Sequence, residues 1–186
     1  MKSIFVKDDN VSKDEIIEFL KNNLIPWENK IIIIDNGIKN QTKAIWDLVG
    51  TDDKKGLVFF LIIINFKNKI LFDIIENIDW TINNFEIISK QYSDKIRTNI
   101  TPRFILISHL FSPIFQRIVS GIKNIEIELI SYKGLRNLEQ KGILFEKVNH
   151  NPQTNQRNLS DLHHQSSKPV YTFDDLTKEE IDEFYK

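Results

Sequence analysis

The spacing of apolar residues in the first part of the chain predicts a helix followed by a strand. Ser12 and Glu15 have the spacing of a capping box, and apolar side chains recur at helical intervals behind them. We therefore expect a helix over 13–23. A short apolar run over 31–34 predicts a strand, which the turn-forming residues 35–37 would end.

The most apolar stretch of the chain, residues 57–66, predicts a buried central strand. It is rich in β-branched and aromatic side chains, which favour strands, and it is too short to cross a membrane as a helix. Residues 52–56 before it have the composition of a hairpin loop. We therefore expect 44–51 to be the antiparallel partner of this strand.

The remaining pattern up to residue 148 alternates helices with strands, as α/β domains do. We predict one α/β domain over 1–148, in which a central mixed β-sheet is flanked by helices. The further elements expected in it are a long helix over 68–91, a strand over 104–108, a helix over 113–120, and strands over 125–130 and 143–148.

The composition becomes polar after residue 148, which predicts a flexible C-terminal tail. We expect a flexible linker over 149–170 and a short helix over 171–186. Thr177 and Glu180 supply a second capping box for this helix. Because so short a helix is marginal alone in water, we expect it to dock on the core or on a partner.

Composition and charge narrow the class of protein only slightly. The chain has 186 residues and a formal net charge of −1, so no overall charge draws it to nucleic acid or to an anionic membrane. It has no cysteine, which excludes disulfides, thiol nucleophiles and cysteine-based metal sites. No apolar run follows the N-terminal lysines, so we expect a cytoplasmic protein without membrane contact.

Four stretches in order, 12–24, 45–52, 102–108 with 111–113, and 141–146, resemble the PD-(D/E)XK nuclease superfamily, which has the restriction-endonuclease-like fold. The resemblance implies that Asp47 is the first catalytic aspartate and a metal ligand. It also implies that an acidic residue of the first helix, Glu15, points into the site. In that family a carboxylate pair binds Mg²⁺, which activates water, and a lysine stabilises the nucleophile or the phosphate.

The second half of that signature is absent where the predicted hairpin would place it. Asp47 should lie opposite residue 61, so Leu61 occupies the position of the glutamate and Ile63 that of the lysine. Neither hydrocarbon side chain can bind Mg²⁺. Asn65 and Lys67 have the signature spacing farther along the strand, but their use would need a bulge.

Other interpretations of these residues remain open at this stage. A migrated carboxylate on the long helix, from Asp73 or Glu76, is a further route to a metal site. Glu18 is an alternative to Glu15 as the acidic residue of the first helix, and Glu15 has a sufficient explanation as half of the capping box. Asp47 has an alternative explanation as a solvated residue at a strand end.

These observations predict a nuclease-like domain with a degenerate, inactive catalytic centre, which binds nucleic acid or a partner in a nucleic-acid-handling assembly. Lys95, Arg97 and Arg103 are the candidate phosphate contacts, although solvated surface cations are the simpler explanation. We expect no cofactor and weak binding without sequence specificity. The alternatives are an active endonuclease that uses Mg²⁺ on Asp47, and an interaction module or homodimer without a nucleic-acid role.

Overall fold

The computed structural model describes residues 6–8, 10–23, 25–40, 43–67, 70–137 and 141–148. The predicted linker over 149–170 and the predicted helix over 171–186 lie outside the described residues. The elements in chain order are β1 (Val6–Asp8), α1 (Lys13–Asn22), β2 (Ile32–Asp35), β3 (Ile38–Asn40), β4 (Lys43–Trp46), β5 (Leu48–Thr51), β6 (Leu57–Ile63), α2 (Ile70–Asn83), α3 (Phe85–Gln91), β7 (Arg103–Ser108), α4 (Pro113–Gly121), β8 (Glu126–Arg136) and β9 (Lys141–Lys147).

Among the described residues, seven strands form one mixed sheet, and β3 and β4 form a separate pair. The sheet order is β1-β8-β7-β6-β5-β2, with β9 also paired to β8. Strands β2, β5 and β6 are antiparallel neighbours, whereas β6, β7 and β8 are parallel. The predicted α/β class, a mixed sheet flanked by helices, is confirmed. No helix in the described ranges is long and apolar enough to span a membrane.

The two faces of β6 pack against different helices, because successive side chains of a strand point to opposite faces. On one face, Phe60 and Ile62 belong to a core cluster that includes Ile16 and Leu20 of α1. On the other face, the ring of Phe59 lies 5.6 Å from that of Trp46, whose indole Nε1 donates to Thr81 Oγ1 of α2 at 2.7 Å.

Two predicted elements are broken in the structure. The predicted strand over 44–51 is divided at Asp47, which lies in a bend between β4 and β5. The predicted helix over 68–91 is divided at Asn84, whose side-chain amide donates to Trp80 O at 2.7 Å. The backbone N–H of Asn84 also donates to Trp80 O, at 3.0 Å. Such a side-chain hydrogen bond to a helix carbonyl is invisible to hydrophobic periodicity.

Strand β8 is longer than the predicted 125–130 because β9 pairs with residues 130–136 on one side and β1 pairs with residues 134–136 on the other. A Cβ on Gly134 would lie 2.2 Å from Asp8 O, so the glycine permits this close backbone approach. Three residues, Val6–Asp8, are too few to predict a strand from the pattern alone. The pairing is therefore a product of the tertiary structure.

Candidate functional site

Asp47 is a buried residue whose carboxylate already has partners. Register within the hairpin begins with Leu48 opposite Phe60, and the backbone N–H of Asp47, in the bend before β5, also donates to Phe60 O at 2.8 Å, so the paired register does not extend to the predicted partner Leu61. Its Oδ2 accepts from the backbone N–H of Ile62 at 2.7 Å, and its Oδ1 lies 2.7 Å from Lys13 Nζ of α1. The side chain is only 5% exposed. The interpretation of Asp47 as a solvated strand-end residue is therefore wrong.

The two hydrocarbon residues predicted opposite Asp47, Leu61 and Ile63, offer no ligand for a metal. Ile63 is buried, and Leu61 is half-buried. Both residues alternate along β6 with Ile62, whose side chain packs on the α1 side of the sheet. Leu61 and Ile63 therefore face the opposite side. Within the residues that the structure describes, no group of three or more His, Asp or Glu side chains is placed to hold a metal ion.

The alternative signature, Asn65 and Lys67, lies beyond the end of β6 at Ile63. Both residues are exposed, and the carbonyl of Lys67 accepts from the N–H of Ile70 at 2.9 Å. The segment therefore leads into α2 instead of continuing the strand, and the hydrogen bonds and ion pair of Asp47 involve neither residue.

Glu15 forms the predicted capping box and an ion pair. Its Oε2 accepts from Ser12 N at 2.7 Å, and its own N–H donates to Ser12 Oγ at 3.2 Å. Its Oε1 lies 2.5 Å from Lys141 Nζ at the start of β9. The hydrogen bond from Lys141, followed by that from Ser12 N–H, lowers the pKa of Glu15. Glu15 and Asp47 are thus paired with different lysines and do not share a partner.

Arg103, the third predicted phosphate contact, is enclosed by carboxylates at the start of β7. Its guanidinium makes two hydrogen bonds to Glu28, at 2.9 and 2.8 Å, and a further one to Glu128. Arg103 Nε lies 2.9 Å from Glu126 Oε1, and Nη1 lies 3.5 Å from Asp52 Oδ2. The side chain of Arg103 is only 12% exposed and its donors are used by carboxylates of the protein, so it is not available to a phosphate.

Burial and ion pairing act in opposite directions on Glu128 of β8. Burial alone would raise the pKa of this carboxyl, but the hydrogen bonds from Lys147 and Arg103 outweigh it and lower the pKa. The Lys147 Nζ atom lies 2.7 Å from Glu128 Oε2. The network around Arg103 therefore ties β7, β8 and β9 together, and its central pair, Arg103 and Glu128, is largely removed from water.

Lys95 and Arg97 are exposed, and the structure brings two further cations beside them. The backbone N–H of Arg97 donates to Lys55 O at 2.8 Å, which joins the loop after α3 to the β5–β6 hairpin. Lys54 and Lys55 are exposed in that hairpin. We call these four residues the basic loop cluster. None of their side chains forms a hydrogen bond or salt bridge with another described residue.

Sequence reasoning missed the two hairpin lysines, although a signal for them existed. The hairpin loop precedes β6 and the loop after α3 precedes β7, and Val58 of β6 pairs with Arg103 of β7 in a parallel register. Loops that precede neighbouring parallel strands meet at the same edge of a sheet. A prediction that paired these two strands would therefore have placed Lys54 and Lys55 beside Arg97.

Comparison with known proteins yields little beyond one distant likeness. No family model matches the sequence, and no curated protein matches it. Among solved structures, the chain is similar to one titled "Structure of EndoMS-dsDNA2 complex", with a TM-score of 0.38 and 15% sequence identity. The match covers 64% of this chain and 44% of that one, so this chain spans less than half of the other's length. A likeness at this level does not define a shared fold.

Proposed function

We propose that this chain is a nuclease-like domain that binds nucleic acid through the basic loop cluster and does not cleave it. The observation that carries the proposal is the hydrogen bond between Arg97 and Lys55, which joins two loops whose four cationic side chains form no salt bridge with a described residue. Exposed cations grouped in this way are the chemistry that phosphate backbones recognise.

The absence of cleavage is proposed from the surroundings of Asp47. Hydrolysis of a phosphodiester with Mg²⁺ needs several oxygen ligands around the ion. The carboxylate of Asp47 is occupied by Lys13 and by the Ile62 N–H, and the neighbouring strand offers Leu61 and Ile63. We accordingly expect no resident cofactor.

The basic loop cluster also lies far from Asp47. Five residues of extended chain separate Asp47 from Asp52 at the start of the hairpin loop, which is roughly 16 Å at about 3.3 Å per residue. A phosphate held by Lys54 and Lys55 would therefore not lie against Asp47. This separation supports a binding role in preference to catalysis.

The charge of the cluster predicts weak binding with a strong dependence on salt. Its four cations give +4, and the exposed Asp94 beside Lys95 reduces this to +3, whereas the charge of Asp53 beside Lys54 is balanced by its ion pair with Lys30. Each neutralised phosphate releases counterions, so three to four contacts to a single strand should lower affinity about 20- to 50-fold between 50 and 200 mM salt. Because phosphates carry no base identity, we expect no sequence specificity.

The binding test is fluorescence anisotropy with labelled oligonucleotides at both salt concentrations. Replacing Lys54, Lys55, Lys95 and Arg97 together by glutamine should abolish binding. The matched control replaces four exposed cations elsewhere by glutamine, namely Lys21, Lys39, Arg117 and Arg136. It changes net charge equally and should retain most of the affinity. Equal losses in both variants, or no binding at 50 mM salt, would refute the proposal and favour an interaction module for a protein partner or a second copy.

Catalysis is tested separately, with plasmid and single-stranded substrates in Mg²⁺ or Mn²⁺. We expect no cleavage. Metal-dependent nicking that disappears in Asp47→Asn would establish the alternative of an active endonuclease.

A further inference from the structure

We propose that the nucleic acid bound by this domain is single-stranded, and that one of its bases enters a cavity beside the basic loop cluster. The inference rests on the proposed function and names its substrate class. The cavity has a volume of about 330 Å³ and lies between the end of α2, the start of α3 and the loop that precedes β7.

The cavity adjoins both loops of the cluster. Ile100 lines it, and a Cβ placed on Gly56 of the hairpin would lie 2.8 Å from Ile100 Cγ2. Thr98 and Asn124 line the cavity, and each directly follows an exposed cation in the chain. These cations are Arg97 and Lys123. Neighbouring Cα atoms are about 3.8 Å apart. Cationic residues therefore stand on two sides of the cavity, where a phosphate backbone would pass.

The lining suits a nucleobase better than a phosphate. The half-buried Phe85 supplies accessible aromatic surface, whereas Phe104, which also lines the cavity, is fully buried against Trp46 and Phe59. The exposed side chains of Asn99 and Asn124 supply amide donors and acceptors. None of the residues lining the cavity is charged. A flat group with apolar faces and a polar edge matches this arrangement, whereas a phosphate would find no cation inside.

The size of the cavity and the mode of access favour a single strand. A volume of about 330 Å³ is at the low end for small-molecule sites and can hold one base, but not a base pair within a duplex. In a duplex each base is stacked and paired, and removing it costs free energy. In a single strand the base is free to stack on an aromatic side chain such as Phe85. Asparagine amides can pair with any base edge, so the lack of sequence preference is retained.

The test measures anisotropy with three ligands of one sequence: a single strand, its duplex, and the single strand with abasic sites. We expect the single strand to bind more tightly than the duplex, and the abasic strand about tenfold more weakly than the intact one. Asn99→Trp fills the mouth from an exposed position and spares the core. It should reduce binding of the intact strand to the abasic level and leave abasic binding unchanged. The matched control is Ile87→Trp, at a site on α3 that is 71% exposed and outside the cavity lining; it should change neither affinity.

The outcomes separate this inference from the proposed function. If single strand, duplex and abasic strand bind alike, or if Asn99→Trp and Ile87→Trp behave alike, the cavity is not a base site and only the inference fails. If no nucleic acid binds at 50 mM salt, both fail. Phe85→Ala provides a second variant, with thermal unfolding as the check on its folded state, and it should weaken the intact strand selectively.

Discussion

Replacement of Asp47 by alanine should destabilise the domain through the loss of a buried acceptor. The variant removes the carboxylate that accepts from the backbone N–H of Ile62 at 2.7 Å. The Asp47 side chain is only 5% exposed, so the N–H is left without an acceptor in a buried place. A buried donor left unsatisfied costs about 1–3 kcal/mol. The pair with Lys13 adds at most about 1 kcal/mol, because the lysine side chain is 39% exposed and water screens it. We therefore expect a loss of about 2–3 kcal/mol in the free energy of unfolding.

Asp47→Asn separates the hydrogen bond from the charge. The amide oxygen can still accept from Ile62 N, while the pair with Lys13 is lost, so this variant should be destabilised less than Asp47→Ala. Glu18→Ala is a matched control, because Glu18 is an exposed acidic residue on α1, and its effect should lie within about 0.5 kcal/mol of zero.

The assay is urea unfolding followed by fluorescence, with and without Mg²⁺. In a thermal unfolding experiment, the same loss of free energy corresponds, for a chain of this size, to a fall in melting temperature of about 5–10 °C. Because we attribute a structural role to Asp47, Mg²⁺ should not change the stability of the native protein. A near-neutral Asp47→Ala, or Mg²⁺ stabilisation of the native protein that this variant removes, would refute the reasoning, since a metal ligand stabilises only when its ion binds.

Three further predictions follow from the buried charges and from β6. Stability should fall on acidification: the pKa of Glu128 in the fold lies below its ordinary value of 4.5, so its contribution is complete above that value and is lost as pH falls through the lowered pKa. Urea titrations across this range should show a flatter acid limb in Glu128→Gln, and an unchanged limb would contradict this. Arg103→Ala should cost about 3–5 kcal/mol by the same assay, because it leaves several carboxylates uncompensated, and a neutral result would mean that they are solvated. Ile63→Glu should lower the melting temperature more than Leu61→Glu, because Ile63 is buried and Leu61 only half-buried; the reverse order would mean that Leu61 is the less solvated of the two.

Local physical chemistry, encoded in short stretches of sequence, determines most of the secondary structure. The capping box of Ser12 and Glu15 starts α1 where predicted, and the apolar run from residue 57 forms the central strand β6. Register within the hairpin also follows from the position of its loop, which is why Leu48 lies opposite Phe60. These features depend on groups close together in the chain, so the sequence by itself contains the information for them.

Tertiary structure alone decides what the charged residues do. Arg103 looks in the sequence like a surface cation, but parallel pairing of β7 with β8 places Glu126 and Glu128 around it. Lys55 looks like a simple hairpin residue, but pairing of β6 with β7 places it beside Arg97, 42 residues farther along the chain. Electrostatic interactions act through space and depend on burial, so the role of a charge is set by neighbours that are distant in sequence.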